Sequence, residues 1–153
     1  MIPVKRVIVL TNTLANGGAE KQSILLASAI QHNLPTQLIV YYGKEYDLRL
    51  KLLTEDHNIN VCWLYGSHFK KILFLYKLFK SEKNTVIFSY LATTNIINAL
   101  LGKVTGIKYC IGGIRNAKLS MSKFYIQRIL HNYFLTYSIF NNYQGKEIAT
   151  ISK

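Results

Sequence analysis

The chain has 153 residues and a formal net charge of +12, from 19 Lys and Arg against seven Asp and Glu. This length fits one ordinary domain with a sizeable core, and a hydrophobic content of 50% excludes a disordered chain. Two prolines and two cysteines exclude a proline-rich linker protein and a disulfide scaffold. The positive charge indicates an anionic partner: nucleic acid, a membrane surface or a phosphorylated ligand.

Six short β-rich segments recur along the chain, and most of them are almost continuously apolar. Strands of this kind are buried on both faces, as in parallel sheets that are covered by helices. The predicted strands are Arg6–Thr11, Thr36–Tyr42, Asn58–Leu64, Thr85–Tyr90, Ile107–Ile111 and Thr136–Phe140.

Amphipathic segments lie between these strands and predict helices. The predicted helices are Ala19–Gln31, Asp47–Leu53, His68–Ser81, Thr93–Lys103, Leu119–Leu135 and Asn142–Ser152. This alternation predicts an α/β fold, a Rossmann-like doubly wound parallel sheet of six strands in the order 3-2-1-4-5-6. Residues 1–153 show no change of composition that would divide them, so we expect a single domain.

The sequence gives no sign of secretion, membrane insertion or metal binding. No run reaches the roughly 18–20 apolar residues that a membrane span needs. Cys62 and Cys110 each stand alone in an apolar segment, which favours buried free thiols in a reducing cytoplasm. The four histidines form no pair with ligand spacing, so we predict no metal site.

The first candidate site is the loop that follows the first strand. Asn16, Gly17 and Gly18 stand where that strand passes into a helix. Ligands of open α/β sheets bind at the carboxyl ends of strands, and a helix N-terminus favours phosphate. Neither a Gly-x-Gly-x-x-Gly fingerprint nor a Gly-Lys-Ser/Thr P-loop is present, and a simple glycine turn is the alternative interpretation.

Two further groups of polar residues follow the fourth and fifth strands. Ser89, Tyr90 and Asn95 place hydroxyls and an amide at the end of the fourth strand, where they suit a sugar or cap a helix. Arg115 and Asn116 follow the fifth strand, and the guanidinium suits phosphate or carboxylate unless it only covers a loop. All eight residues of the three groups are predicted to bind substrate.

Four segments resemble glycosyltransferase family 4, the retaining enzymes of GT-B fold. The segment Thr11–Lys21 looks like its Gly-Gly-Ala-Glu region, and Gly113–Asn116 is similar to its Arg-Asn pair. Phe88–Asn95 and Ile139–Glu147 resemble two further stretches of the family, and the four occur in the expected order. The resemblance implies half of a GT-B fold, in a glycosyltransferase that acts in cell-surface polysaccharide synthesis.

This resemblance covers the acceptor-side domain only. The family's donor-side domain carries a Glu-x7-Glu motif, and no two glutamates of this chain have that spacing. We therefore expect a fragment or a truncated gene product that is inactive alone and lacks the C-terminal donor domain. The resemblance places Gly17 and Gly18 near the donor phosphates and Arg115 and Asn116 on the acceptor side. It assigns no catalytic residue, and it implies a nucleotide-sugar as substrate without a further cofactor.

The helix predicted at His68–Ser81 mixes lysines with large apolar groups. Basic amphipathic helices with aromatic residues are typical of membrane surfaces, so we expect the chain to lie at the inner face of the membrane as a peripheral cytoplasmic protein. A helix that buries Ile72, Leu75 and Phe79 and leaves its lysines in water is the alternative. The predicted membrane-facing residues are Lys70, Lys71, Lys77 and Lys80.

These observations leave several functions open. We predict a nucleotide-sugar donor, a saccharide or lipid-linked acceptor and no nucleic acid, because no nucleic-acid-binding motif accompanies the basic residues. A nicotinamide-binding or hydrolase domain is the other enzymatic interpretation. A non-catalytic Rossmann-like module that binds an anionic ligand or a membrane surface is the alternative from another class.

Overall fold

The computed structural model of the chain describes residues 3–114 and 137–140. Its strands form one parallel sheet in the order β3-β2-β1-β4-β5-β6. They are β1 (Arg6–Thr11), β2 (Thr36–Val40), β3 (Val61–Trp63), β4 (Thr85–Tyr90), β5 (Tyr109–Ile114) and β6 (Tyr137–Phe140). The helices between them are α1 (Gly18–Gln31), α2 (Leu48–Asp56), α3 (His68–Ser81) and α4 (Ala92–Thr105).

The predicted α/β fold is confirmed, as is the strand order 3-2-1-4-5. The bounds of β1, β4 and α3 agree with the sequence prediction to the residue. Strand β2 ends at Val40, two residues earlier than predicted, although the N–H groups of Tyr41 and Tyr42 still donate to the carbonyls of Thr11 and Asn12 at the end of β1. The helices predicted at 119–135 and 142–152 lie outside the described residues.

Helices cover both faces of the sheet, which therefore separates two apolar cores. Helices α3 and α4 pack on one face, where Leu75, Phe79 and Ile97 join Ile8 and Ile87 of the sheet. On the other face Ile24 and Ala27 of α1 and Leu50 of α2 pack against Val9 and Leu38. Burial on both faces explains why β1 is a continuous apolar run rather than an alternating one.

Within the described residues, no helix combines the length and the apolar character that crossing a membrane requires.

Candidate functional site

The order of the strands creates a crevice at the carboxyl edge of the sheet. The chain leaves β1 for α1 on one face, whereas it leaves the neighbouring strand β4 for α4 on the other face. The connections therefore diverge between β1 and β4, and this switch point is where doubly wound sheets bind ligands. The residues that line the divergence come from the loop 12–17 and from the first turn of α4.

Asn12 joins the two sides of this crevice. Its side-chain oxygen Oδ1 accepts a hydrogen bond from the backbone N–H of Thr94, at 3.1 Å. The residue before α4, Leu91, makes no side-chain cap bond of its own. Asn12 therefore caps α4 from a distant part of the chain, and it leaves the loop after β1 fixed against the loop after β4.

The start of α1 has an open backbone on one side and a carboxylate on the other. Gly17 is the N-cap residue and no side chain caps the helix, while Gly18 is exposed. Glu20 is buried, and its Oε1 accepts a hydrogen bond from the hydroxyl of Thr13 at 3.2 Å. A Cβ atom at Gly17 would lie 2.2 Å from Oε2 of Glu20, so the carboxylate occupies the space of a side chain at position 17.

This arrangement decides where a ligand can approach α1. The carboxylate of Glu20 already satisfies the preference of the helix N-terminus for negative charge. The backbone at Gly18 is the part of this helix start that is open to solvent. Asn16 is exposed beside these glycines. The structure thus brings the three predicted residues of this loop together at the edge of the crevice.

A buried polar network fixes the ends of β4 and β5 to α4. The hydroxyl of Ser89 donates to the carbonyl of Ile111 at 3.3 Å and accepts from Nδ2 of Asn98 at 2.9 Å. Nδ2 of Asn95 donates to the carbonyl of Gly113 at 3.0 Å. The Oδ1 atoms of Asn95 and Asn98 are buried and have no hydrogen-bond partner among the described residues.

This network already uses the polar groups of two residues that were predicted to contact substrate. Ser89 and Asn95 are only 1% and 2% exposed, so their polar atoms serve the fold before they can serve a ligand. A substrate contact for these two residues therefore stays a prediction. The sequence reasoning missed Asn98, which lies on the buried side of α4 beside Thr94, Asn95 and Thr105; several polar residues share that face, so the sequence does not single it out.

Backbone strain marks the turn from β4 to α4. Leu91 has φ +74° and ψ 159°, a conformation that side chains disfavour and that clusters at ligand sites. Tyr90, which precedes it, is half-buried, and its ring lies over Gly113. A Cβ atom at Gly113 would stand 3.1 Å from Cδ1 of that ring, so the close approach favours glycine there.

The prediction that Lys71 faces a membrane is wrong. Lys71 is 7% exposed, and its Nζ donates to the backbone carbonyl of Tyr41 at 2.7 Å. The ammonium also lies 4.9 Å and 5.0 Å from the ring centroids of Tyr41 and Tyr42. Such cation–π contacts and one charge-assisted hydrogen bond explain how a lysine can point inward.

Of the other residues predicted to face a membrane or bind substrate, some are exposed and some lie outside the described residues. Lys70, Lys77 and Lys80 are exposed on α3. Arg115 and Asn116 lie outside the described residues, so their proposed contact with an acceptor stays a prediction. In the part of the chain that the structure describes, no three His, Cys, Asp or Glu side chains group as metal ligands.

The two cysteines differ in burial. Cys62 is half-buried and Cys110 is buried, and neither forms a disulfide bond within the described residues. Burial raises the pKa of Cys62, and it raises the pKa of Cys110 to about 12. Neither thiol is therefore activated as a nucleophile, since that role needs a thiolate near neutral pH.

Comparison with known proteins gives a likeness of fold. No family model and no curated protein matches the chain. Among solved structures, the chain is similar to Anabaena Alr3699/HepE, crystallised in complex with UDP and glucose, with a TM-score of 0.67. The similarity covers 88% of this chain at 15% sequence identity. The chain spans 37% of the length of the Anabaena chain, so the fold matches one part of a larger protein.

Proposed function

We propose that the chain is the acceptor-side domain of a retaining glycosyltransferase with a GT-B fold. The full enzyme would move a sugar from a nucleotide-sugar to a hydroxyl of an acceptor. The observation that carries this proposal is the crevice between β1 and β4, in a fold shared with a protein that binds UDP and glucose. The resemblance of the Gly17–Gly18 segment to glycosyltransferase family 4 supports it independently.

The residues of the crevice suggest a division of labour. The exposed start of α1 at Gly18 would face the donor phosphates, whose developing charge helix N–H groups can stabilise. Tyr90 and the first turn of α4 would contact the acceptor together with Arg115 and Asn116. The nucleoside would be held mainly by a second domain that carries the Glu-x7-Glu motif, and no cofactor besides the nucleotide-sugar is proposed.

The proposal extends to the acceptor and the location. A lipid-linked saccharide of a cell-surface polysaccharide pathway would be presented at the inner face of the membrane, with the protein bound peripherally on the cytoplasmic side. The net charge of +12 supports this, because phosphate-bearing lipids and anionic membranes attract basic proteins.

A non-catalytic binding module of the same fold is the second candidate. It is favoured by the exposed start of α1 at Gly18, which suits an anion whether or not a sugar is transferred. Such a module would bind an anionic ligand at the same crevice and transfer nothing.

Titration of the isotope-labelled chain with UDP, UDP-glucose and short saccharides, followed by NMR, tests the proposed site. We expect chemical-shift changes at residues 12–20 and 90–95. Gly18→Glu adds negative charge beside the helix start and should weaken UDP binding about tenfold. Asn33→Asp adds the same charge at an exposed position after the other end of α1 and should leave binding unchanged.

Two results would contradict the proposal. Binding that is unaffected by Gly18→Glu would place the phosphates away from α1. Sugar transfer by the isolated chain would show that a donor domain is not needed. Sugar transfer that appears only after a domain with the Glu-x7-Glu motif is added would favour the enzyme over the non-catalytic binding module.

A further inference from the structure

The outward face of α3 is unusual because it is both basic and apolar. The helix packs inward through Leu75, Phe79 and the buried Lys71. On the opposite side Phe69, Leu73 and Phe74 are 76%, 40% and 43% exposed. Lys70, Lys77 and Lys80 are exposed between them. We call these six residues the α3 outer face.

Charge is distributed unequally between the two faces of the sheet. Helices α3 and α4 together contain five lysines and no acidic residue. Helices α1 and α2, on the other face, contain three basic and three acidic residues. Among the four helices that the structure describes, the excess of positive charge is therefore on the α3–α4 side, where a solvated surface would ordinarily mix both signs.

Helix α4 continues the same character. Leu100 and Val104 are 44% and 72% exposed, and Lys103 is exposed between them. Because α4 packs beside α3 on the same face of the sheet, both helices present apolar and basic side chains in the same general direction.

We propose that the protein docks on an anionic lipid bilayer through the α3 outer face, with Leu100, Lys103 and Val104 of α4 at its border. The lysines would contact lipid phosphates, and the exposed apolar groups would enter the headgroup region. Interfacial helices combine these two features, since apolar burial and attraction to anionic lipids add together. This surface specifies where the peripheral membrane contact of the proposed function is made, and it does not depend on the proposed sugar transfer.

Docking in this way would orient the crevice. Helix α3 follows β3, so its first residues lie at the carboxyl edge of the sheet, which is the edge of the crevice. Phe69 and Lys70 belong to that first turn. If the proposed function holds, a lipid-linked acceptor could reach the crevice without leaving the bilayer surface.

Flotation of the 153-residue chain with vesicles of phosphatidylcholine, with and without phosphatidylglycerol, tests the proposal. We expect binding to the anionic vesicles only, and a loss of binding as salt rises. Replacing Lys70, Lys77 and Lys80 by Gln should weaken binding about 100-fold, at roughly fivefold per lysine. Phe69→Ser with Leu73→Ser should also weaken binding, but leave its salt dependence in place.

Matched controls lie outside the α3 outer face. Lys21 and Arg49 belong to α1 and α2, and Lys44 lies in the loop that leads into α2; all three are exposed, and replacing them by Gln removes the same charge without altering α3. Leu48→Ser with Leu52→Ser removes exposed apolar groups from α2, at side chains that are 63% and 47% exposed. We expect both controls to bind anionic vesicles almost as well as the unaltered chain, because they leave the α3 outer face intact.

Four outcomes would overturn the docking surface. The first is no binding to anionic vesicles at low salt, and the second is an equal loss of binding in the two sets of variants. The third is tight RNA or DNA binding that the α3 lysine variants abolish and that vesicles do not compete away. The fourth is self-association that Phe69→Ser and Leu73→Ser abolish, which would assign the face to a second copy instead. UDP binding measured on the same variants keeps this test separate from that of the crevice.

Discussion

The side-chain oxygen of Asn12 accepts a hydrogen bond from the backbone N–H of Thr94 at 3.1 Å, and so joins two residues that are 82 positions apart. One residue follows β1 and the other belongs to the first turn of α4. The bond spans the place where the order of the strands reverses. It therefore sets the distance between the two walls of the crevice.

Asn12→Ala removes the acceptor and leaves the start of α4 without a cap. We expect the free energy of unfolding to fall by about 1 kcal/mol, as for other lost N-caps. Urea denaturation followed by circular dichroism measures this change. Asn12→Asp keeps an acceptor oxygen and should stay close to the unaltered chain. Equal losses in the two variants would show that the amide group acts in some other way.

The strained backbone of Leu91 gives a second prediction. At φ +74° and ψ 159°, a residue with a Cβ atom costs about 1–3 kcal/mol more than glycine. Leu91→Gly should therefore be more stable than Leu91→Ala, by about 1 kcal/mol. Both variants lose the same side-chain packing beyond Cβ, so their comparison isolates the backbone.

Thr93 provides the control for that comparison, because it lies within the helical first turn of α4. There Thr93→Ala should be more stable than Thr93→Gly, by about 1 kcal/mol, as helix propensity requires. Thermal unfolding of the four variants measures both differences. The same order of stability at the two positions would contradict the strain at Leu91.

Strand β1 and helix α3 were predictable because one physical signal dominates in each of them. Strand β1 is a continuous apolar run, and α3 begins directly after Ser67, whose side chain accepts a hydrogen bond from the N–H of Lys70. Burial on both faces of the sheet and capping by a nearby side chain each depend on residues close together in the chain, so both can be recognised in the sequence. The bounds of both elements were predicted correctly for this reason.

The connections of the site were not predictable, because they depend on residues far apart in the chain. Nothing near Asn12 shows that it will cap a helix that begins 80 residues later. Lys71 was misplaced because charge normally marks the solvated side of a helix, whereas here Tyr41 and Tyr42 provide ring faces and a carbonyl for the ammonium. Asn98 was missed because a buried amide needs hydrogen-bond partners, and only the folded structure shows which residues supply them.

The two thiols should react at different rates. Alkylation requires the thiolate, and burial raises the pKa of Cys62 and that of Cys110, the latter to about 12. At pH 8 we expect slow modification of the half-buried Cys62, and modification of Cys110 only as the chain unfolds. Peptide mass spectrometry after iodoacetamide treatment, with and without urea, measures both rates. Equal rates in the native chain would contradict the burial of Cys110.

The same thiol makes stability depend on pH. Cys110 loses its proton near the ordinary value of 9.0 when unfolded, but at about 12 in the fold. The unfolded chain therefore releases the proton first, and the free energy of unfolding should fall as pH rises from 9 towards 12. Cys110→Ala should reduce the slope of that fall, which urea titrations at several alkaline pH values would show. An unchanged slope would contradict the raised pKa.

The contact between α4 and β5 gives the final prediction. A Cβ atom at Gly102 would lie 2.2 Å from Sγ of Cys110, which is closer than any real contact. Gly102→Ala improves helix propensity by about 1 kcal/mol, but crowding of a packed core costs typically 1–3 kcal/mol. We therefore expect a net loss of stability in urea denaturation. Gly102→Ala combined with Cys110→Ala removes the sulfur and should be more stable than Cys110→Ala alone, because only the gain in propensity then remains. A double variant that loses as much as the sum of the two single changes would show that Gly102 is needed for a reason other than its contact with the thiol.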